Sequence, residues 1–278
     1  MRTLLYKHLD SKLSSKEELE LRTTIYKDNN TQWAKLGTNI ISHKTNCPNA
    51  CRYCYVQAWK VRKDKLKVPD IEDLTEETRP KFVLDEKRVA KAWTKRKKAR
   101  LYIFPSTHDI FPEMLASYIT VAKKIMDSGS SLLCVSKARL PCIKQICKEL
   151  VAYKKQLKII ITMGSKDPAL LAYWEPLAPS YRERKACLRF AFKAGFRTSV
   201  SMEPFLSNPR PVIKDVLPYV TDGLWLGPMS YSKVLKYETD KFAEVSKLYT
   251  QEEVKRLVEE YRYNPKVFFK YKMFRILG

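Results

Sequence analysis

The sequence predicts an α/β fold of parallel βαβ units, and three observations carry that reading. Short apolar, β-branched runs alternate with longer helical stretches along most of the 278 residues, the order that sets crossover helices between parallel strands. The hydrophobic fraction, 45%, is that of a globular protein, and a chain of this length can enclose one large core. No apolar run approaches the roughly 18 residues of a membrane span, and Met1 to His8 lack the apolar segment of a secretion signal. Together with free cysteines this points to a cytoplasmic protein.

Taken in order, residues 1–34 are polar and weakly patterned, an N-terminal extension in which Ser14-Ser15-Lys16-Glu17-Glu18-Leu19 suits a helix start. Residues 35–278 hold the fold. Lys35–Ile41 reads as the first strand, residues 81–98 as the first long helix, and Arg100–Phe104 as the second strand. A helix over Pro112–Asp127 leads to a third strand, Ser131–Lys137, followed by a helix through Leu150. Leu157–Met163 is the fourth strand, with a helix from Tyr181 to Ala194 after a longer connection. Thr198–Pro204 and Gly223–Gly227 are the fifth and sixth strands, a charged helix spans residues 250–262, and Lys266–Lys270 is a final short strand. Only 7 glycines occur, with no G-x-G-x-x-G and no P-loop, so dinucleotide and nucleoside-triphosphate sites of those kinds are excluded.

The chemistry gathers between the first strand and the first helix. Cys47, Cys51 and Cys54, three of seven cysteines, fall within eight residues as C-x3-C-x2-C, with Tyr53 just before the third. Three thiolates on one loop can hold three irons of a cuboidal [4Fe–4S] cluster; the fourth iron then lacks a protein ligand, because no fourth Cys lies near. A zinc site closed by His43, or three reduced core thiols, remain as other readings. Cys134, Cys142, Cys147 and Cys187 lack cluster spacing and read as core thiols.

C-x3-C-x-aromatic-C resembles the signature of radical S-adenosylmethionine (SAM) enzymes. The resemblance implies a partial (β/α)6 parallel barrel, with which six strands agree. It also implies a [4Fe–4S] cluster whose open iron is chelated by SAM, and reductive cleavage of SAM to a 5′-deoxyadenosyl radical that abstracts hydrogen from a substrate. It implies an external one-electron donor such as flavodoxin or ferredoxin. Cys47, Cys51 and Cys54 are then both metal ligands and catalytic residues. In parallel barrels the chemistry sits at the C-terminal strand ends, and there the glycine-glycine-glutamate motif of many radical SAM enzymes is replaced by Ser106-Thr107-His108-Asp109. That segment, with Val135-Ser136-Lys137, Thr162-Met163-Gly164-Ser165 and Ser201-Met202-Glu203-Pro204-Phe205, is similar to the spore photoproduct lyase branch and related uncharacterised radical SAM proteins. The likeness implies that Lys137 meets the SAM carboxylate, that Ser165 contacts SAM, that Ser106, Thr107, His108 and Glu203 complete the cofactor set, and that Tyr53 packs near the adenine. Asp109, Glu203 and Glu175 are candidates to hold substrate or brace the site.

Charge supplies the substrate expectation. Lys and Arg number 53 against 30 Asp and Glu, a formal +23, which attracts polyanions, nucleic acid above all. Eight bases fall between Lys87 and Arg100, where Lys87, Lys91, Lys95 and Lys98 recur at helical spacing to form a basic face. Lys60, Arg62, Lys63, Lys65 and Lys67 follow the cysteine loop, and the segment Phe268 to Arg275 interleaves aromatics with bases. Modification or repair of nucleic acid is the reading that follows. A radical SAM enzyme acting on a peptide or small metabolite, or a zinc-stabilised non-catalytic nucleic-acid-binding protein, are the alternatives.

Overall fold

The β-branched run Leu157–Thr162 stands at the centre of a sheet and is buried along nearly its whole length, as a parallel strand covered on both faces must be. A computed structural model of the chain describes residues 36–42, 47–58, 81–95, 98–230 and 239–278. The N-terminal extension, His43, the basic run Lys60–Lys67, and Arg96 and Lys97 lie outside the described residues.

Seven parallel strands form one sheet in the order β1 to β7: β1 Leu36–Gly37, β2 Leu101–Ile103, β3 Ser131–Ser136, β4 Leu157–Thr162, β5 Arg197–Met202, β6 Gly223–Leu226 and β7 Val267–Phe269. Sequential order with every strand parallel is singly wound, the logic of a barrel rather than of a doubly wound sheet. The sheet is open, with β1 and β7 as its edges. Six strands and a final short one over Lys266–Lys270 were expected; the last joins in register as β7, with Trp225 opposite Phe268.

Helices α1 Glu86–Ala90, α2 Leu115–Asp127, α3 Leu140–Glu149, α4 Pro168–Trp174, α5 Tyr181–Lys193, α6 Arg210–Val216, α7 Thr239–Ser246, α8 Gln251–Tyr261 and α9 Tyr271–Leu277 accompany the strands. Their starts are written locally. Ser180 caps α5 by accepting from the Glu183 amide, and Asp167 caps α4, whose first residue is Pro168. The core packs Leu132, Ile159, Ile161, Val200 and Leu224 of the sheet against Ile125, Ile143, Ile146 and Leu188 of the helices. No helix among the described residues is long and apolar enough to cross a membrane.

Two expectations need correction. The helix expected over 81–98 is a single short element, α1, ending at Ala90, where Lys91 turns extended (φ −47°, ψ 131°). Repulsion among the lysines opposes its continuation, and Trp93 packs edge-on against Tyr102, centroids 5.1 Å apart. Lys91, Lys95 and Lys98 are therefore exposed on an irregular segment, not on one helical face. The first strand stops at Gly37 because the Asn39 side chain takes over the pairing. It accepts from the Ser106 and Thr107 amides at 2.8 and 2.9 Å, and Ile41 pairs antiparallel with Leu84 instead.

Candidate active site

Residues just past the C-terminal strand ends line one cavity of about 400 Å³, within the range of small-molecule sites. The loop after β1 contributes Cys47, Cys51, Tyr53 and Cys54; the end of β2 contributes Ser106, Thr107, His108 and Asp109; β3 gives Ser136 and Lys137; β4 gives Thr162; β5 gives Ser201 and Glu203; and the segment after β7 gives Lys270 and Lys272.

The cysteine loop is held by buried polar pairs. Asp109 accepts from Asn49 Nδ2 at 2.7 Å, Ser136 Oγ at 2.8 Å and the Lys137 amide at 2.5 Å, and the Lys137 ammonium stands 4.0 Å from its Oδ2. Burial alone would raise the Asp109 pKa; Lys137 and these donors outweigh it and hold the carboxyl below its ordinary value. Burial likewise opposes the Lys137 charge, and the carboxylates of Asp109 and Glu175 reverse the balance, so the ammonium persists. Asn49 Oδ1 accepts from Arg139 at 3.0 Å. Behind the loop, the Tyr53 hydroxyl and the Arg184 guanidinium both donate to Glu175, and Arg184 also donates to the Pro179 carbonyl at 2.7 Å and the Thr162 carbonyl at 3.3 Å. Ala50 sits at φ 48°, in the left-handed region uncommon for a residue with a side chain, so these contacts fix a turn the loop would not adopt unaided.

Most predicted residues meet at this cavity; Ser165 and Glu175 do not line it. Ser165 is fully buried outside it; its hydroxyl stands 2.7 Å from Ser207 Oγ and accepts from the Asp167 amide at 2.9 Å. The chain turns away after Thr162, and Gly164 packs so closely that a Cβ there would come within 3.0 Å of the Pro204 carbonyl. Thr162 lines the cavity in its place. The Ser106 hydroxyl accepts from Asn39 at 2.8 Å. His108 donates through Nδ1 to the Asp109 carbonyl at 2.8 Å; burial lowers its pKa, leaving a neutral ring whose Nε2 is buried without a hydrogen-bond partner among the described residues. Glu203 pairs with Lys270 at 3.1 Å. Glu175, read as a loop acid, is 2% exposed. Arg184, Asn39 and Asn49 were missed. Cys134 is buried, absent from the cavity lining and packed against Tyr118 of α2; Ser136, two residues on along β3 and on the same strand face, does line it.

The donor set fits an iron–sulfur cluster. Three free thiols line one wall, and sulfur donors of this kind suit clusters. Burial pushes the Cys47 thiol up to about 12 and Cys51 well above its usual range, so metal must displace protons on binding. Among the described residues no three His, Cys, Asp or Glu side chains converge on a single ion, whereas a cluster places each thiolate on its own iron. The unpartnered His108 Nε2 and the Lys137 ammonium offer an acceptor and a cation on the same cavity, complementary to an amino acid's amine and carboxylate.

No family model matches the chain. It is 26% identical over 178 residues to an uncharacterized protein, ORF301, of Acidianus two-tailed virus, an alignment that takes in 61% of this chain and only 56% of that protein's length. Among solved structures it is similar to a doubly substituted spore photoproduct lyase with bound AdoMet and dinucleoside spore photoproduct, at TM-score 0.53 and 12% identity over 86% of this chain and 76% of that one. Streptococcus suis SuiB bound to S-adenosylmethionine aligns at TM-score 0.46 and 11% identity, over 94% of this chain and 54% of that one. The likeness to the lyase structure makes the architecture the partial-barrel fold of radical SAM enzymes, as the resemblance of the cysteine loop implied.

Proposed function

We propose that this chain is a radical SAM enzyme whose substrate is nucleic acid. The observation that carries it is the meeting of Cys47, Cys51 and Cys54 with Lys137 on one cavity at the strand ends of this fold. When bound, a [4Fe–4S] cluster and SAM would supply a 5′-deoxyadenosyl radical that takes hydrogen from a substrate, with one electron from a flavodoxin- or ferredoxin-like donor. Cys47, Cys51 and Cys54 would hold the cluster. Lys137 would pair with the SAM carboxylate as a point charge, and neutral His108 would accept at Nε2 from the amino group. Tyr53, with its hydroxyl committed to Glu175, would present its ring to the cavity. Asp109 fixes Lys137 and the loop and is too fully engaged to abstract a proton. Residues 35–278 would act as one barrel unit closed by the C-terminal segment, in the reducing cytoplasm that free thiols suit. The formal +23 supports a polyanionic substrate.

The test is anaerobic reconstitution. About four irons and four sulfides per chain are expected, with 5′-deoxyadenosine formed from SAM and dithionite. Cys51→Ala should abolish both. Stoichiometric zinc without sulfide in anaerobically purified protein would overturn the proposal.

A further inference from the structure

The cavity wall supplied by the far edge of the sheet has its own chemistry. Lys270 and Lys272 follow β7 directly, and both line the cavity reached from the other edge by the cysteine loop. Lys270 is 8% exposed, an unusual place for an ammonium. It is built in: a Cβ at Gly227 would come 2.9 Å from Lys270 Cγ and 3.0 Å from Glu203 Cγ, so the glycine makes room for the Lys270–Glu203 pair. Lys272, exposed at the mouth, donates to Ser230 Oγ at 2.6 Å. That hydroxyl, accepting from Lys272, keeps its own hydrogen to donate. Among the described residues the wall thus presents two ammoniums and a hydroxyl beside the Glu203 carboxylate. On the opposite side of the cavity the Lys137 ammonium is set against Asp109, which also takes three further donors.

We infer that Lys270, Lys272 and Ser230 form a phosphate-binding subsite that seats a phosphodiester of a nucleic-acid substrate beside the SAM site. A phosphodiester is acceptor-only and anionic, the complement of this wall. A nucleic acid repeats that charge at every nucleotide, so further phosphates can meet the surface of a chain carrying +23. Lys270 sits deep and Lys272 at the rim, which leads the backbone from solvent inward. The subsite depends on the proposed function only in taking this cavity as the active site.

The experiment uses the full chain, anaerobically reconstituted. Fluorescein-labelled ten-residue oligodeoxythymidylate, oligouridylate and polyglutamate are titrated by anisotropy across a salt series. Lys272→Gln, a change at an exposed side chain, should weaken binding of at least one oligonucleotide roughly tenfold at low salt and reduce its log K against log salt slope by about 0.7. Lys272→Arg should restore both, and polyglutamate should show no such loss. An unchanged oligonucleotide slope would refute the subsite, as would an equal loss for polyglutamate. A fall in SAM affinity with oligonucleotide binding intact would reassign Lys272 to the cofactor. Iron, sulfide and 5′-deoxyadenosine are measured on the unmodified protein, so the enzyme reading fails or stands separately.

Discussion

On the β1 side of the cavity, buried charges are locked into pairs that share donors with the backbone: Asp109 with Lys137, Asn49 and Ser136, and Glu175 with Arg184 and Tyr53. On the β7 side a single pair, Glu203 with Lys270, lies inside, and Lys272 with Ser230 reaches solvent. The first arrangement is a fixed mould, as suits a cofactor that is the same in every turnover. The second is a graded surface that admits a ligand from outside. On the proposed reading the fold divides its strand ends between an invariant partner and a variable one, and each side can be broken separately.

The largest effect is expected beneath the cysteine loop. Arg184 is 1% exposed, and Arg184→Met would leave the Glu175 carboxylate buried without its cation. Loss of one partner of a buried pair costs about 3–5 kcal/mol, to be read from denaturant unfolding. Lys272→Met, at the exposed rim, should change stability by less than about 0.5 kcal/mol. Equal losses in the two variants would erase the contrast between mould and surface.

Next is Lys137→Ala. Removal of the cation that would face the SAM carboxylate should weaken SAM binding by roughly 10- to 100-fold, the size of a charge-assisted hydrogen bond of about 1.5–3 kcal/mol. Iron content should hold, because the three thiols are untouched. Equilibrium dialysis with labelled SAM measures it, and unchanged affinity would remove Lys137 from the cofactor side.

A smaller effect belongs to the surface outside both walls. Lys91, Lys95 and Lys98 changed together to Glu should weaken oligonucleotide binding several-fold at low salt and less at high salt, since exposed charges are screened. A loss independent of salt would mean that the segment acts through folding, by way of Trp93 on Tyr102, and not through charge.

These contrasts also mark what was legible from residue order. The strands after the first lay within a residue or two of where their apolar runs placed them, because burial on both faces leaves β-branched runs few alternatives. The cysteine spacing is local, and so are the strand-end residues Thr107 to Asp109 and Lys137, so they could be found by position alone. Long-range polar pairing could not: nothing near Glu175 announces Tyr53, 122 positions away, and nothing near Gly227 announces that two side chains need its missing Cβ. Ser165 lies outside the cavity lining for the related reason that the turn the chain takes after β4 is set by long-range packing of Gly164 on Pro204 and Leu206. The lysine-rich helix failed because spacing fits a helix without showing that Trp93 gains more by leaving it.

The last prediction expects no effect at all. In spore photoproduct lyase, as the family resemblance implies, a Cys three residues before the Asp of the second-strand motif returns a hydrogen atom to the product radical. Here that position is Ser106, which lines the cavity with its hydroxyl tied to Asn39. An O–H bond is much stronger than an S–H bond, so the hydroxyl cannot act as that donor. Cys134 is the one other thiol in the strand next to it, and it is buried against Tyr118, outside the cavity lining. The remaining core thiols Cys142, Cys147 and Cys187 lie on α3 and α5, also outside the cavity lining. The three loop thiols would be engaged as cluster ligands. With no thiol left to close the radical cycle, the unmodified protein should give no efficient repair of photoproduct-containing DNA, while Ser106→Cys restores a thiol at the position required. Efficient repair without that change would show that the correspondence at β2, and with it the separation drawn between this chain and the lyase, is mistaken.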